Sequence, residues 1–229
     1  MFGAWQVGVW QVLRERVQPD MIVGASAGAL NGWAVAGGAT VEELTREWLD
    51  PLSTGRIMRL SPHPTGLMKP EGLYATARKF FAEYRPKVPF GLTLVEVPRL
   101  RPCLARDHEI TWEHLAASCS IPFVFPPVRI GGKRYVDGGL LGAVPLWAAE
   151  QMGATRVVAA NCLTSMPFRV MRRVVRPRQP SAKLEVQLIE PEHPLGLLQD
   201  AIVWKKANVE RWIEQGARDA NRVLSSGRM

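Results

Sequence analysis

No stretch of this 229-residue chain approaches the roughly 20 consecutive apolar residues of a membrane-spanning helix, which removes helical membrane proteins from consideration. Cysteine is scarce: Cys103, Cys119 and Cys162 are odd in number, widely spaced, and lack both a C-x-x-C pair and a histidine at metal-ligand spacing. A disulfide framework and a zinc site are disfavoured, and free thiols in a reducing compartment are expected. The opening residues carry no base before Arg14 and are interrupted by Gln6, Gly8 and Gln11, so they lack the charged and apolar regions of a secretory signal. The expectation is a cytoplasmic chain able to associate with a membrane surface. Acid is short as well. Against 29 Lys and Arg stand 21 Asp and Glu, a net charge of +8 with a pI near 9.9, which attracts anionic surfaces over about a Debye length without choosing among them.

What is present is a 47% apolar fraction in a length that suits one α/β domain. Residues 4–16 place Trp5, Val9, Val12 and Leu13 at helical spacing, and Pro19 and Asp20 break that helix before the apolar strand 21–23. A small-residue helix to 38 and an acidic helix over 41–49 follow. Prolines and glycines interrupt residues 51–86, which read as a cap or insertion carrying one helix over 73–84. Beyond it the pattern predicts strands over 90–97, 133–136 (ending at Asp137), 156–161 and 184–189, and helices over 112–119, 146–151 and within 195–224. Strands alternating with helices favour a mostly parallel sheet covered on both faces. A core over 1–161 and a closing part over 162–229 form one domain in this reading.

Chemistry concentrates at Val23-Gly24-Ala25-Ser26-Ala27-Gly28-Ala29. A nucleophilic serine must project from a sharp turn between strand and helix, and small residues two before and two after it let the two elements approach. Gly24 and Gly28 hold those places, after a predicted strand and before a predicted helix. The helix N-terminus beneath Ser26 favours developing negative charge. A glycine-rich structural turn reads the same way locally, so the base decides. Of His63, His108, His114 and His193, only His193 follows a candidate acid, and it lies in a polar loop. The other arresting stretch is Arg134-Tyr135-Val136-Asp137-Gly138-Gly139, where a strand delivers a carboxylate to its end.

GASAG followed by this Asp-Gly-Gly triplet resembles the patatin-like phospholipases. So do GAWQVGVWQVL, PDMIVGASAGALNG, AASCSIPFVFPPVRIGGKRYVDGGLLGAVPL and GATRVVAAN, in the same order. The resemblance implies a three-layer α/β/α sandwich and a lipid acyl hydrolase with Ser26 as nucleophile and Asp137 as general base, acting through an acyl-enzyme without cofactor or metal. It implies motif roles for Gly24, Gly28, Gly138 and Gly139. The family's glycine-rich oxyanion loop, G-G-G-x-R-G, is matched only by Gly3, with Phe2 at the arginine position. Backbone N–H groups of Gly3 and Ala27 are then a partial oxyanion site, and a chain truncated before the loop and impaired in catalysis is the expectation.

Two rivals follow: a non-catalytic lipid-binding or interaction protein on the same fold, and a triad esterase using His193. Ser118, Cys119, Ser120 and Pro122 read as shaping a turn near the site, and His114 as a helix surface residue. The basic tract from Arg169 to Lys183 is the candidate contact with anionic membrane. Without interleaved aromatics or a recognised module, nucleic acid is not an expected partner.

Overall fold

Gly3–Leu13 forms the first helix, α1, which presents Trp5, Val7, Val9 and Val12 inward. A computed structural model describes residues 1–58, 60–63, 66–164 and 181–225. Strand β1 (Ile22–Gly24) leads through Ser26 into α2 (Ala27–Ala36), and α3 (Val41–Leu49) starts at Thr40, whose side chain and Glu43 form a reciprocal capping box. A 3-10 turn over Thr54–Met58 and a small antiparallel hairpin, β2 (Leu60–His63) with β3 (Gly66–Met68), precede α4 (Glu71–Glu83), which puts Leu73, Ala77 and Phe80 into the core.

The central sheet is built on β4 (Phe90–Val97), buried along nearly all its length. Along one edge it carries β5 (Arg101–Arg106), antiparallel from Gly91 to Glu96. The other edge is shared by two strands. β1 pairs in parallel with its first half, Gly24 opposite Leu92, and β7 (Lys133–Asp137) pairs antiparallel with its second half, Asp137 opposite Leu94. β6 (Val128–Ile130) completes the sheet beyond β7. Helix α5 (Trp112–Ser118) precedes that hairpin, and α6 (Leu146–Gln151) follows it. α2 lies against Phe90, while Met152, just after α6, lies against Gly91; consecutive strand residues face opposite sides, so helices cover both faces of the sheet.

The mixed α/β architecture is as expected, but the sheet is not mostly parallel. Only the β1–β4 pair is parallel in the central sheet, and the reason is local. β4–β5 and β6–β7 are hairpins, the second closed by Gly131 and Gly132, both at positive φ as a tight two-residue loop requires. Gly-Gly between two short apolar alternations was the signal for it. A second parallel pair, β8 (Arg156–Ala160) with β9 (Glu185–Ile189), stands apart from this sheet.

The chain closes with α7 (Leu198–Ile202) and the 20-residue α8 (Lys206–Ser225). α8 crosses α1 at very close range: a Cβ on Gly8 would lie 1.8 Å from the Ile213 carbonyl oxygen, and one on Gly216 2.0 Å from that of Trp5. Beside the crossing Trp5 Nε1 donates to buried Asp219 at 2.8 Å, and Phe2 meets Trp212 edge-on. Among the described residues no helix is long and apolar enough to cross a membrane.

Candidate active site

The shared edge of β4 creates the site. β1 runs up that edge and β7 runs down it, so their carboxyl ends meet head-on across Thr93, one leading into Ser26 and the other terminating in Asp137. Ser26 Oγ donates to Asp137 Oδ2 at 2.6 Å, across 111 residues of sequence. Gly24 and Gly138 make the approach possible. A Cβ on Gly24 would stand 2.2 Å from the Gly28 carbonyl oxygen, and one on Gly138 2.1 Å from that of Thr93. At Gly28 an added Cβ would find its nearest atom 3.5 Å away, in Gln6, so the closeness of strand and helix rests on Gly24 rather than on both glycines.

Ser26 is held at φ 55 and ψ −131, a region that a residue with a Cβ occupies at a cost of about 1–3 kcal/mol unless its surroundings enforce it. The enforcing contact is Ser118. Its Oγ accepts the Ser26 N–H at 3.1 Å and donates to the Thr93 carbonyl at 3.0 Å, which ties the elbow to the middle of β4. Ser120 serves the other residue, its carbonyl accepting the Asp137 N–H at 3.0 Å while its Oγ donates to the Pro126 carbonyl and closes the intervening loop. These serines shape more than a turn: each fixes the backbone of one member of the Ser26–Asp137 pair. No spacing rule announces this, because only the fold brings residue 118 beneath residue 26.

Asp137 is buried. Loss of hydration pushes its carboxyl up to about 7, against the opposing pull of hydrogen bonds from Ser26 Oγ and from Gly139 N–H, the latter at 2.7 Å. Cys119, buried nearby, has its thiol held well above the ordinary range by burial and then by the Asp137 charge, so it is no competing nucleophile. His114 caps α5, its Nδ1 accepting the Thr111 N–H, with its imidazole held below the usual value by burial. It is half-buried rather than a plain surface residue. His193 is exposed on the loop before α7, where its carbonyl accepts from Gln215; it is not brought to Ser26, whose Oγ is bonded to Asp137.

The two candidate oxyanion donors come together. A Cβ on Gly3 would lie 2.6 Å from Ala27 Cβ, so the first turns of α1 and α2 converge beside Ser26. Neither the Gly3 nor the Ala27 N–H has a hydrogen bond among the described residues. Asn31 braces this corner, donating to the Gly3 carbonyl at 2.9 Å and accepting from Trp48 Nε1 at 2.9 Å. Among the described residues no cluster of His, Cys, Asp or Glu could hold a metal ion. Most of the Arg169 to Lys183 tract, residues 169–180, lies outside the described residues.

The fold and the site define an α/β protein with a serine hydroxyl at a strand-to-helix elbow and a buried carboxylate as its partner. The family model for patatin-like phospholipases matches residues 1–150, and the chain belongs to that family. A similar solved structure is that of VipD from Legionella pneumophila, with 12% sequence identity and a TM-score of 0.54. The match covers 98% of this chain and 65% of that one, and at such identity the likeness is one of fold.

Proposed function

We propose that this protein is a lipid acyl hydrolase that cleaves carboxylic esters through Ser26 and Asp137. The observation that carries the reading is the 2.6 Å hydrogen bond from Ser26 Oγ to a buried carboxylate whose pKa stands at about 7. An ordinary aspartate is too weak a base to take a serine proton near neutrality; a desolvated one is closer to the task. Asp137 takes the proton as Ser26 Oγ attacks the ester carbonyl, and the oxyanion forms beside the N–H groups of Ala27 and Gly3 at the α2 and α1 N-termini. Asp137 then protonates the departing alcohol, leaving the acyl group on Ser26. Water, deprotonated by Asp137, attacks the acyl-enzyme; the fatty acid leaves and Ser26 regains its proton.

Hydrolysis of a short p-nitrophenyl ester, read beside labelling by a serine-directed fluorophosphonate, tests the assignment. Ser26→Ala is expected to abolish both, and Asp137→Asn to lower the rate by about 10²- to 10⁴-fold with the fold intact. Turnover that survives Ser26→Ala would overturn the proposal. A wild-type chain that neither turns over nor labels would favour a non-catalytic lipid-binding role.

A further inference from the structure

Beyond the site, β4 and β7 continue to two hairpin tips that lie side by side: Val97 pairs with Arg134, and Lys133 Nζ reaches Glu96 at 3.1 Å. Across residues 90–106 and 128–136 Glu96 is the one acid. It is buried, and Lys133, Arg101 and Arg99 surround it and hold its carboxyl below the ordinary range. Three cations on one carboxylate leave an excess of positive charge on that face of the sheet. On the opposite face Arg129 and Arg134 stand directly across from each other in the β6–β7 ladder, both exposed, and neither has an acidic partner among the described residues. Like charges at that spacing repel and weaken the ladder unless an anion lies over them. At the apex of the β4–β5 hairpin, between Arg99 and Arg101, Leu100 is held at φ 50 with half its surface exposed.

We propose that these two tips form a docking rim for an anionic lipid surface. Cations on both faces of a sheet cannot converge on one small anion, but they meet a plane laid end-on across the tips. Leu100 at the apex is an apolar side chain that a bilayer accommodates and a nucleic-acid backbone does not. The rim lies about three residues, roughly 10 Å of strand, beyond the Ser26–Asp137 pair, at the carboxyl end of β4 and in the direction in which β1 runs into Ser26. A surface held there lies close to the nucleophile. The choice of lipid over other polyanions rests on the hydrolase reading; the charge arrangement does not.

Flotation of the full chain with phosphatidylcholine vesicles, with and without about 30% phosphatidylglycerol, tests it at about 0.1 M and 0.5 M salt. Wild type is expected to float with the anionic vesicles at the lower salt and to be released at the higher. R129Q/R134Q and L100S are each expected to bind several-fold more weakly, with a melting temperature no lower than that of wild type and unchanged turnover of a soluble short ester. K206Q/R218Q, on the exposed face of α8, is expected to bind as wild type does. Equal flotation of wild type and rim variants, equal loss in the α8 variant, or rim-dependent binding of a single-stranded oligonucleotide in preference to vesicles would each overturn the proposal. Flotation is read without catalysis, so an inactive Ser26 leaves this test standing and the hydrolase reading alone fails.

Discussion

Asp137 carries opposite consequences for chemistry and for stability. Its carboxyl stands at about 7 because burial favours the protonated form, whereas in the unfolded chain it titrates near 3.8. The folded state therefore holds a proton that the unfolded state has given up between about pH 4 and pH 7, and the contribution to stability is present at low pH and lost as pH rises through 7. The full shift corresponds to roughly 4 kcal/mol. Asp137→Asn should accordingly be more stable than wild type at pH 8, by up to roughly that amount, with the difference shrinking toward zero near pH 4; paired urea titrations at the two pH values measure it. Turnover by the proposed mechanism should run the other way. kcat/KM should rise with an apparent pKa near 7 and level off above it, since only the deprotonated carboxylate can accept the Ser26 proton. Ser118 is the complementary case, a fully buried residue that acts through the backbone of Ser26. Ser118→Ala strands the Ser26 N–H and the Thr93 carbonyl, at about 1–3 kcal/mol of stability, and should lower kcat with little change in KM, because it loosens the strained elbow rather than a binding contact. Ser26 and Asp137 were legible in the sequence because each sits in a motif whose small neighbours do local steric work. Ser118 was not, because its partners are residues 26 and 93, and no local pattern encodes that meeting.

Among the elements, helices and long strands followed their periodicity: β4 and α6 fall where the pattern placed them, and α5 ends one residue short. What alternation did not reveal was strand direction. Hydrophobic pattern says which face is buried and nothing about which way a neighbour runs, so the β6–β7 hairpin and β5 turned an expected parallel sheet into a mixed one. That difference positions the site. Were β7 parallel to β4, Asp137 would end up at the far tip instead of beside Leu94, several residues from the elbow. The α1–α8 crossing is equally invisible to periodicity, since its contact residues are glycines. Gly8→Ala must push the Ile213 carbonyl aside, and a loss of about 3 kcal/mol is expected, visible as a lowered melting temperature and as weaker quenching contacts of buried Trp5 and Trp212. A control at Gly153, where an added Cβ meets nothing but φ is 100, separates strain from collision.

Over the whole molecule the +8 charge is weakly compensated. Of the ion pairs among the described residues, Lys79–Glu47, Lys133–Glu96, Arg99–Glu96 and Arg222–Asp219 involve a buried carboxylate, while Arg156–Glu185, Lys206–Glu210 and Arg218–Glu214 lie in solvent and contribute little. Self-repulsion should then outweigh surface attraction. Raising salt from about 20 mM to about 0.2 M is expected to raise the melting temperature, opposite to the response of a protein held by exposed ion pairs, and differential scanning calorimetry decides the sign.

The meeting of two strand ends on one edge of β4 also sets a clock. The hydroxyl is synthesised 111 residues before its acceptor, on the order of 10 s at ordinary ribosomal speed. Through that interval the nascent chain carries Ser26 without its carboxylate partner, and the pair exists only after β4 and the β6–β7 hairpin have emerged and paired. The proposed chemistry is thus out of the chain's reach until its synthesis is well past the midpoint.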